Sequence, residues 1–443
     1  MITTDSFKNY LLDPVDNSPL IVFRQIFGIL ITLESWGAIV TGWVREILIK
    51  PEFTFTFIGF EWLQPLPGNG MYFYYGAMGV FGLMVAFGCY YRIAIISFAL
   101  LWTGTYLMQK TAYNNHYYLL IILSWLMAIV PANTYRAYDS KFKRVKSQFS
   151  CPRWVVLIFI LQTGIVFIFA GIAKIYPDWL NGLPISIWFD AKSNMPIIGK
   201  VLKQEWFRWL VVYGGLTFDL LIFPVLLWQK TRLFGFIASI FFHLLNSIIF
   251  QIGIFPYMAL ALSIFFFKPD SIRKIFFKRR LLLEELPKSS HRWKPLLMLA
   301  LGLFFTLQLM LPLRHWFYPG NVHWTEEGHR MSWRMMLRVK QGSSFYVVKD
   351  NDSDHQWREE PRDYLTHRQA SKVATRPDMA WQFAQYLEEK YHENGYYNVS
   401  VYCYSKVSLN GRDYYPLVDP EVDLAKTEWR RFYHSNWIMP LLD

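Results

Sequence analysis

The chain has 443 residues, of which 53% are hydrophobic, 19% aromatic and only 18% charged, with a formal net charge of +12. The charged share is low for a soluble domain, and several apolar runs approach the roughly 20 residues that cross a bilayer, so a large soluble enzyme is excluded. The basic residues gather in loops between those runs, as positive charge held on the cytoplasmic side of a membrane does, which sets nucleic-acid binding aside.

The N-terminus lacks the basic-then-apolar pattern of a cleaved signal peptide, so the first span is expected to direct insertion. Nine apolar runs follow, at roughly residues 19–43, 71–91, 93–110, 116–132, 154–175, 207–228, 232–250, 253–267 and 295–313. The eighth is short. Together they predict an integral-membrane, multi-span α-helical bundle of about nine transmembrane helices over residues 1–313.

Charge sets the orientation. Arg136, Lys141, Lys143, Arg144, Lys146 and Arg153 follow the fourth run. Lys268, Arg273, Lys274, Lys278, Arg279, Arg280, Lys288, Arg292 and Lys294 follow the eighth, while Arg92, Lys230 and Arg232 sit in the short second and sixth loops. If the runs alternate, all four loops share one side, the cytoplasm, and the N-terminus lies inside. The loops at about 44–70, 110–116 and 176–206 then face outward with everything after residue 313.

Residues 314–443 change character. "SSFYVV" and "NVSVYCYSKVSL" are rich in β-branched and aromatic residues, and "NGRD" after the second run signals a turn. "RPDMAWQFAQYLEEKYHENG" reads as a helix that starts near Pro377 or Asp378 and ends before Gly395. The expectation is an extracytoplasmic α+β domain.

Polar groups inside spans are functional suspects by default. Here they are Arg24 and Glu34 in the first span, Asp219 in the sixth, and His243 with Asn246 on one face of the seventh. Lys110 and Lys174 sit at outer span ends, where a lysine commonly snorkels to the headgroups. The corner "LMQKTAYNNHYYLL" holds Lys110, Asn114, Asn115 and His116 and no acid. Its asparagines could equally serve the ends of two helices. Cys89, Cys151 and Cys403 have no metal-ligand or redox spacing, and His243 and His315 have none for a metal, so no metal is expected.

Several stretches in register resemble the vitamin K-dependent γ-glutamyl carboxylase family, including bacterial members with the HTTM membrane domain. They are "VFRQIFGILITLE", "LQPLP", "QKTAYNNHYYL", "VFIFAGIAKIYPDWLNG", "GGLTFDL", "FFHLLNSIIFQIGIFPYMAL", "LPLRHWFYPGNVHWTEEGHRMSWRMM", "DPEVDL" and "NWIMPLL". The resemblance implies an enzyme that uses vitamin K hydroquinone, or a menaquinol, with oxygen and carbon dioxide as co-substrates. The quinol is deprotonated and oxygenated to an epoxide. The strong base so formed removes a γ-proton from glutamate, and the carbanion takes up carbon dioxide. Expected partners are the lipid bilayer, the quinol and a glutamate-containing peptide.

By that match Lys110 is the base, with His116, Asn114 and Asn115 beside it. His243 and Asn246 match a membrane His/Asn motif. Trp333, Met335 and Met336 match a stretch linked with glutamate and quinone binding, and Lys174, Asp219 and His315 fall in matched segments as further substrate contacts. Burial among uncharged neighbours would lower the Lys110 pKa and leave a free amine, which gives the missing acids a reason. The sequence departs from the family at Arg334, where the family carries an acid, and at Gly328 and His329, where it carries neutral residues. The animal members also continue beyond the matched end. Quinol epoxidation without carboxylation is therefore kept as an alternative, as is a non-catalytic quinone-binding module. A transporter is disfavoured, because no inverted repeat or matched pair of broken helices is present.

Overall fold

The computed structural model describes residues 4–442 except 197, 251 and 278–293. The expected cytoplasmic charges Lys278, Arg279, Arg280, Lys288 and Arg292 lie outside the described residues. The apolar runs form α1 (Ser18–Val40), α2 (Gly70–Phe87), α3 (Tyr91–Met108), α4 (Asn115–Ile129), α5 (Arg153–Ile172), α6 (Glu205–Leu227), α7 (Arg232–Phe250), α8 (Phe255–Leu262) and α9 (Lys294–Leu313). Among the described residues, seven helices are long and apolar enough to cross a membrane. The fourth and eighth expected spans are the shorter ones. At 15 residues α4 reaches about 22 Å, short of the ~30 Å hydrocarbon core.

Small residues let α1 and α2 lie close. A Cβ on Gly28 would fall 2.3 Å from the backbone nitrogen of Ala86, so the crossing requires glycine there. Arg24, buried in the same helix, donates to the carbonyls of Arg136 at 2.7 Å and Val85 at 3.4 Å. It joins α1 to the α2 end and to the loop after α4, a structural use of an intramembrane charge. On α9, Leu296, Leu299, Leu303 and Leu307 are exposed at helical spacing, as a lipid-facing stripe is.

The tail holds a three-stranded antiparallel sheet. Its strands are β1 (Lys340–Asp350), β2 (Gln356–Glu359) and β3 (Val399–Leu409), with β1 in the centre. The register pairs Tyr346 with Cys403 and Val348 with Val401. Helices α10 (His367–Thr375) and α11 (Pro377–Glu393) bring Val373, Phe383 and Leu387 into the core formed by the inward strand residues. Pro377 and Asp378 occupy the first turn of α11, where a missing N–H and a carboxylate both suit the helix start.

The outer loop before α2 binds the two halves together. Phe55 belongs to the tail core, yet its carbonyl accepts the Lys110 N–H at 2.7 Å. The Phe57 N–H donates to the Leu107 carbonyl at 2.9 Å. From the tail, Gln369 donates to the Phe53 carbonyl at 2.6 Å and Gln382 to the Thr56 carbonyl at 3.2 Å. Residues 53–57 are thus held between the Lys110 corner and helices α10 and α11.

Candidate active site

The corner is built from chain direction changes. Past Met108, residues Lys110–Ala112 make one 3-10 turn, and α4 starts at Asn115. Asn114 is extended and caps α4, its Oδ1 accepting from the Tyr117 N–H at 2.7 Å. Asn115 Nδ2 donates to the Arg334 carbonyl at 3.1 Å, and its Oδ1 accepts from the Tyr113 hydroxyl at 2.9 Å. That hydroxyl in turn accepts the Met331 N–H at 2.6 Å. Both asparagines therefore hold backbone in place.

The corner does contain an acid, supplied by the tail. Lys110 Nζ lies 2.6 Å from Asp378 Oδ2, with the lysine side chain 1% and the aspartate 6% exposed. Arg330 forks onto the same carboxylate at 2.8 and 3.2 Å. Burial brings the Lys110 amine down to about 8, Asp378 opposes that, and Arg330 adds to it. Burial alone would raise the Asp378 carboxyl, but Arg330 and Lys110 override it and hold the group well below its ordinary range. The expectation of an amine with only uncharged neighbours is corrected by Asp378 and Arg330. Local sequence around Lys110 could not reveal a partner that arrives on α11.

Lys174, just past α5, pairs with Asp219 on α6, both side chains under a tenth exposed. Its Nζ also approaches the Ala170 carbonyl at 3.4 Å, and the Trp179 ring lies 5.3 Å away. This pair opens on an apolar cavity of about 90 Å³ whose walls include His116, Asn246, Phe255, Met335 and Met336. His116 stacks on Phe255, centroids 4.5 Å apart, and hydrogen-bonds the Ile252 carbonyl. Donation there leaves its other ring nitrogen an acceptor. His243 packs against the same Phe255 ring, with 5.8 Å between centroids.

Two further cavities, each about 230 Å³, lie in the same region. The first is strongly basic and shares His116, Met335 and Met336 with the apolar cavity. The second is lined by Lys110, Asp378, Arg330 and Arg314 and meets the basic cavity only at Glu326. Lys110 and His116, neighbours in sequence, thus face different cavities, while Lys174 and His116 face the same one.

Two family models match the chain. The HTTM domain covers residues 12–271, and the vitamin K-dependent gamma-carboxylase, lumenal domain, covers residues 293–443. The chain belongs to the vitamin K-dependent gamma-carboxylase family. The resemblance read from its motifs is borne out. No solved structure matches it. A gamma-carboxylase family member with these apolar helices and a lumenal-domain match is a multi-pass membrane protein with an extracytoplasmic C-terminal domain.

In this gamma-carboxylase family chain, the "GHRMSWRMM" stretch forms the floor between tail and bundle. Trp333 is 1% exposed, joins the membrane core and packs 5.1 Å from Tyr118. Glu326, Met331, Trp333 and Met336 all have positive φ, at 64°, 59°, 56° and 50°. Such backbone costs of order 1–3 kcal/mol per residue and persists where surrounding contacts impose it, often at functional sites. Arg334 does not meet an acid. Its Nη1 and Nη2 reach the Nε2 atoms of His315 and His323 at 3.2 and 3.1 Å, and His315 Nδ1 meets the Pro312 carbonyl at 2.8 Å. Burial and Arg334 hold His323 well below its ordinary pKa, so its ring is neutral and can accept. Asp378, which the sequence marks only as a helix start, and Arg330, Glu326, Lys340 and Arg376, which it does not mark, all line the cavities of the site. Among the described residues, no three His, Cys, Asp or Glu side chains gather as a metal group would.

Proposed function

We propose that this chain is a vitamin K-dependent gamma-carboxylase-like enzyme whose quinol chemistry takes place in the apolar cavity beside Lys174. The observation that carries the reading is the convergence of Lys174, Asp219, His116 and Asn246 on one otherwise apolar cavity near the outer helix ends. An aromatic and methionine lining with a few aimed polar groups suits a planar, lipid-soluble ring. When bound, the hydroquinone supplies a phenol-type hydroxyl proton and the reducing equivalents that oxygen consumes.

The residues divide the work. Lys174 Nζ and Asp219 Oδ2, buried and in contact, act as one proton-accepting pair. On taking a hydroxyl proton the pair becomes an ammonium at Lys174 and a neutral carboxyl at Asp219, opposite the quinol anion it leaves. His116, fixed by Phe255 and Ile252, offers its second ring nitrogen as an acceptor that orients a hydroxyl. Asn246 offers an amide for a carbonyl or hydroxyl oxygen. Phe255 and Met335 give the cavity apolar walls that keep water from a strong base, while Met336 stands at its exposed edge. His243 supports that lining through Phe255, Trp333 packs on Tyr118, and His315 positions Arg334. In this reading the base role expected of Lys110 passes to Lys174, because both amines pair with a buried carboxylate but Lys174 lines the apolar cavity and Lys110 does not.

We place the N-terminus in the cytoplasm, supported by the basic loops and by the shared end of the bundle at which the Lys110 corner meets the tail. The test uses purified protein in lipid nanodiscs with vitamin K hydroquinone, oxygen, labelled bicarbonate and a short glutamyl peptide. Epoxide and fixed label together support the whole reading. Epoxide alone selects the alternative of quinol epoxidation without carboxylation. Neither product sinks both and leaves a quinone-binding module.

A further inference from the structure

Three segments meet where α9 reaches the tail, and each exposes aromatic side chains. The apolar stretch of α9 continues past the helix to Phe317, 23 residues from Pro295. Trp316 and Phe317 close it, and both are exposed. One residue on, the Tyr318 hydroxyl donates to the Arg431 carbonyl at 2.8 Å. That bond sets Phe432 and Tyr433, 80% and 74% exposed, beside the end of the apolar stretch. Gly59, from the loop before α2, lies so close to Arg431 that a Cβ there would fall 2.3 Å from its Nη2. Trp62, three residues later, is exposed as well.

Aromatic rings gathered in this way mark a surface that something covers. Here the cover is continuous with the lipid that surrounds α9, because the patch begins where the apolar stretch ends. The headgroup level is where Trp and Tyr rings are favoured, with one edge wet and the face apolar. The order of side chains in the tail segment fits that level. Arg430 and Arg431 are exposed and precede Phe432 and Tyr433, so guanidinium groups suited to phosphate sit beside rings suited to the acyl boundary. The other end of the tail differs. β3 spans 11 residues, about 35 Å, and Asn410, just past its last residue, donates to Asp178 of the loop after α5 at 2.6 Å. Tyr397, just before its first residue, is equally exposed at the end far from that contact.

We infer that residues 430–433, together with Trp316, Phe317 and Trp62, form a membrane-dipping anchor through which the tail rests on the phospholipids of the outer leaflet. Phe432 and Tyr433 enter the boundary between headgroups and acyl chains, and Arg430 and Arg431 take lipid phosphates. Tyr318, Arg430 and Arg431 also line the cavity that holds Lys110 and Asp378. That side of the cavity therefore stands at headgroup level, and lipid contact adds to the Lys110–Asp378 pair in seating the tail on the bundle.

Depth in the bilayer is read directly. Phe432→Cys or Tyr397→Cys is introduced into the full chain carrying Cys89→Ser, since Cys151 and Cys403 are buried. Each new thiol takes an environment-sensitive NBD label, and the protein is placed in nanodiscs of phosphatidylcholine and phosphatidylglycerol. The label at 432 emits blue-shifted light, is quenched by doxyl-labelled lipid and resists aqueous iodide. The label at 397 does the opposite. Tyr433→Cys supplies the position where Phe432→Cys fails to fold. A label at 432 or 433 that iodide quenches as it does the label at 397, without quenching by doxyl lipid, overturns the inference. Arg430→Gln combined with Arg431→Gln, in protein that melts like wild type, loses part of the doxyl quenching at 432. Unchanged quenching in that variant overturns the phosphate contact.

Discussion

Lys110 of the membrane corner and Asp378 of the tail helix form a buried ion pair at 2.6 Å. Arg330 holds the other side of the same carboxylate at 2.8 and 3.2 Å. Arg330 and Asp378 belong to the tail and Lys110 to the bundle, so the Lys110–Asp378 pair forms only when the tail is seated on the bundle. One carboxylate serves two cations, and its loss is felt by both.

Asp378→Asn should strand Lys110 and Arg330 as facing buried cations, at a cost of about 3–5 kcal/mol. Lys110→Met leaves Asp378 with Arg330 and should cost less, about 1–3 kcal/mol. Thermal melts of the detergent-solubilised protein, followed by tryptophan fluorescence, give the ranking. An Asp378→Asn protein that melts with wild type would remove the structural weight placed on this triad.

The two lysines should separate in activity. Lys174→Ala should lower epoxide formation by on the order of 10²–10⁴, the range of a lost general base. Lys110→Met, compared per folded molecule, should keep most of the rate. The reverse order would return the base role to Lys110.

Stability should rise with pH on the alkaline side. The Lys340 amine is lowered to about 7 and the Lys110 amine to about 8, from an ordinary 10.5. Between those values and 10.5 the unfolded chain binds more protons than the folded one, so raising the pH favours the folded state. The gain is complete above 10.5 and is lost as the pH falls through 8 and then 7. Melting midpoints from pH 7 to pH 10 should climb, and Lys340→Met should flatten the climb. A flat or falling wild-type curve contradicts the burial of these amines.

Asn114 should matter for folding and little for chemistry. Asn114→Ala removes the cap on α4 and should cost about 1 kcal/mol, while Asn114→Ser keeps it. Turnover per folded molecule should be the same in both. A serine variant that folds normally but loses turnover would make Asn114 part of the reacting site.

Much of the architecture is written in local pattern. Apolar run length marks the positions of α1 to α9, alternation marks β1 and β3, and Pro377 with Gly395 brackets α11. These features depend on neighbours a few residues away, which is why a single sequence reveals them. Length decides less well at α4, whose 15 residues are fewer than the run at 116–132 suggested because the helix ends at Ile129, with Val130 extended before Pro131. The motifs also determine the family.

The tertiary structure alone decides which charges meet. Asp378 reads locally as an acid at a helix start, and only the docking of α11 on the corner makes it the partner of Lys110. Lys110 and His116 are close in sequence but face different cavities, while Lys174 and His116 come from different helices to one wall. The reason is physical. Helix and strand periodicity follow from which face of a segment is buried, whereas an amine's charge depends on every group that packs against it, and those groups arrive from anywhere in the chain.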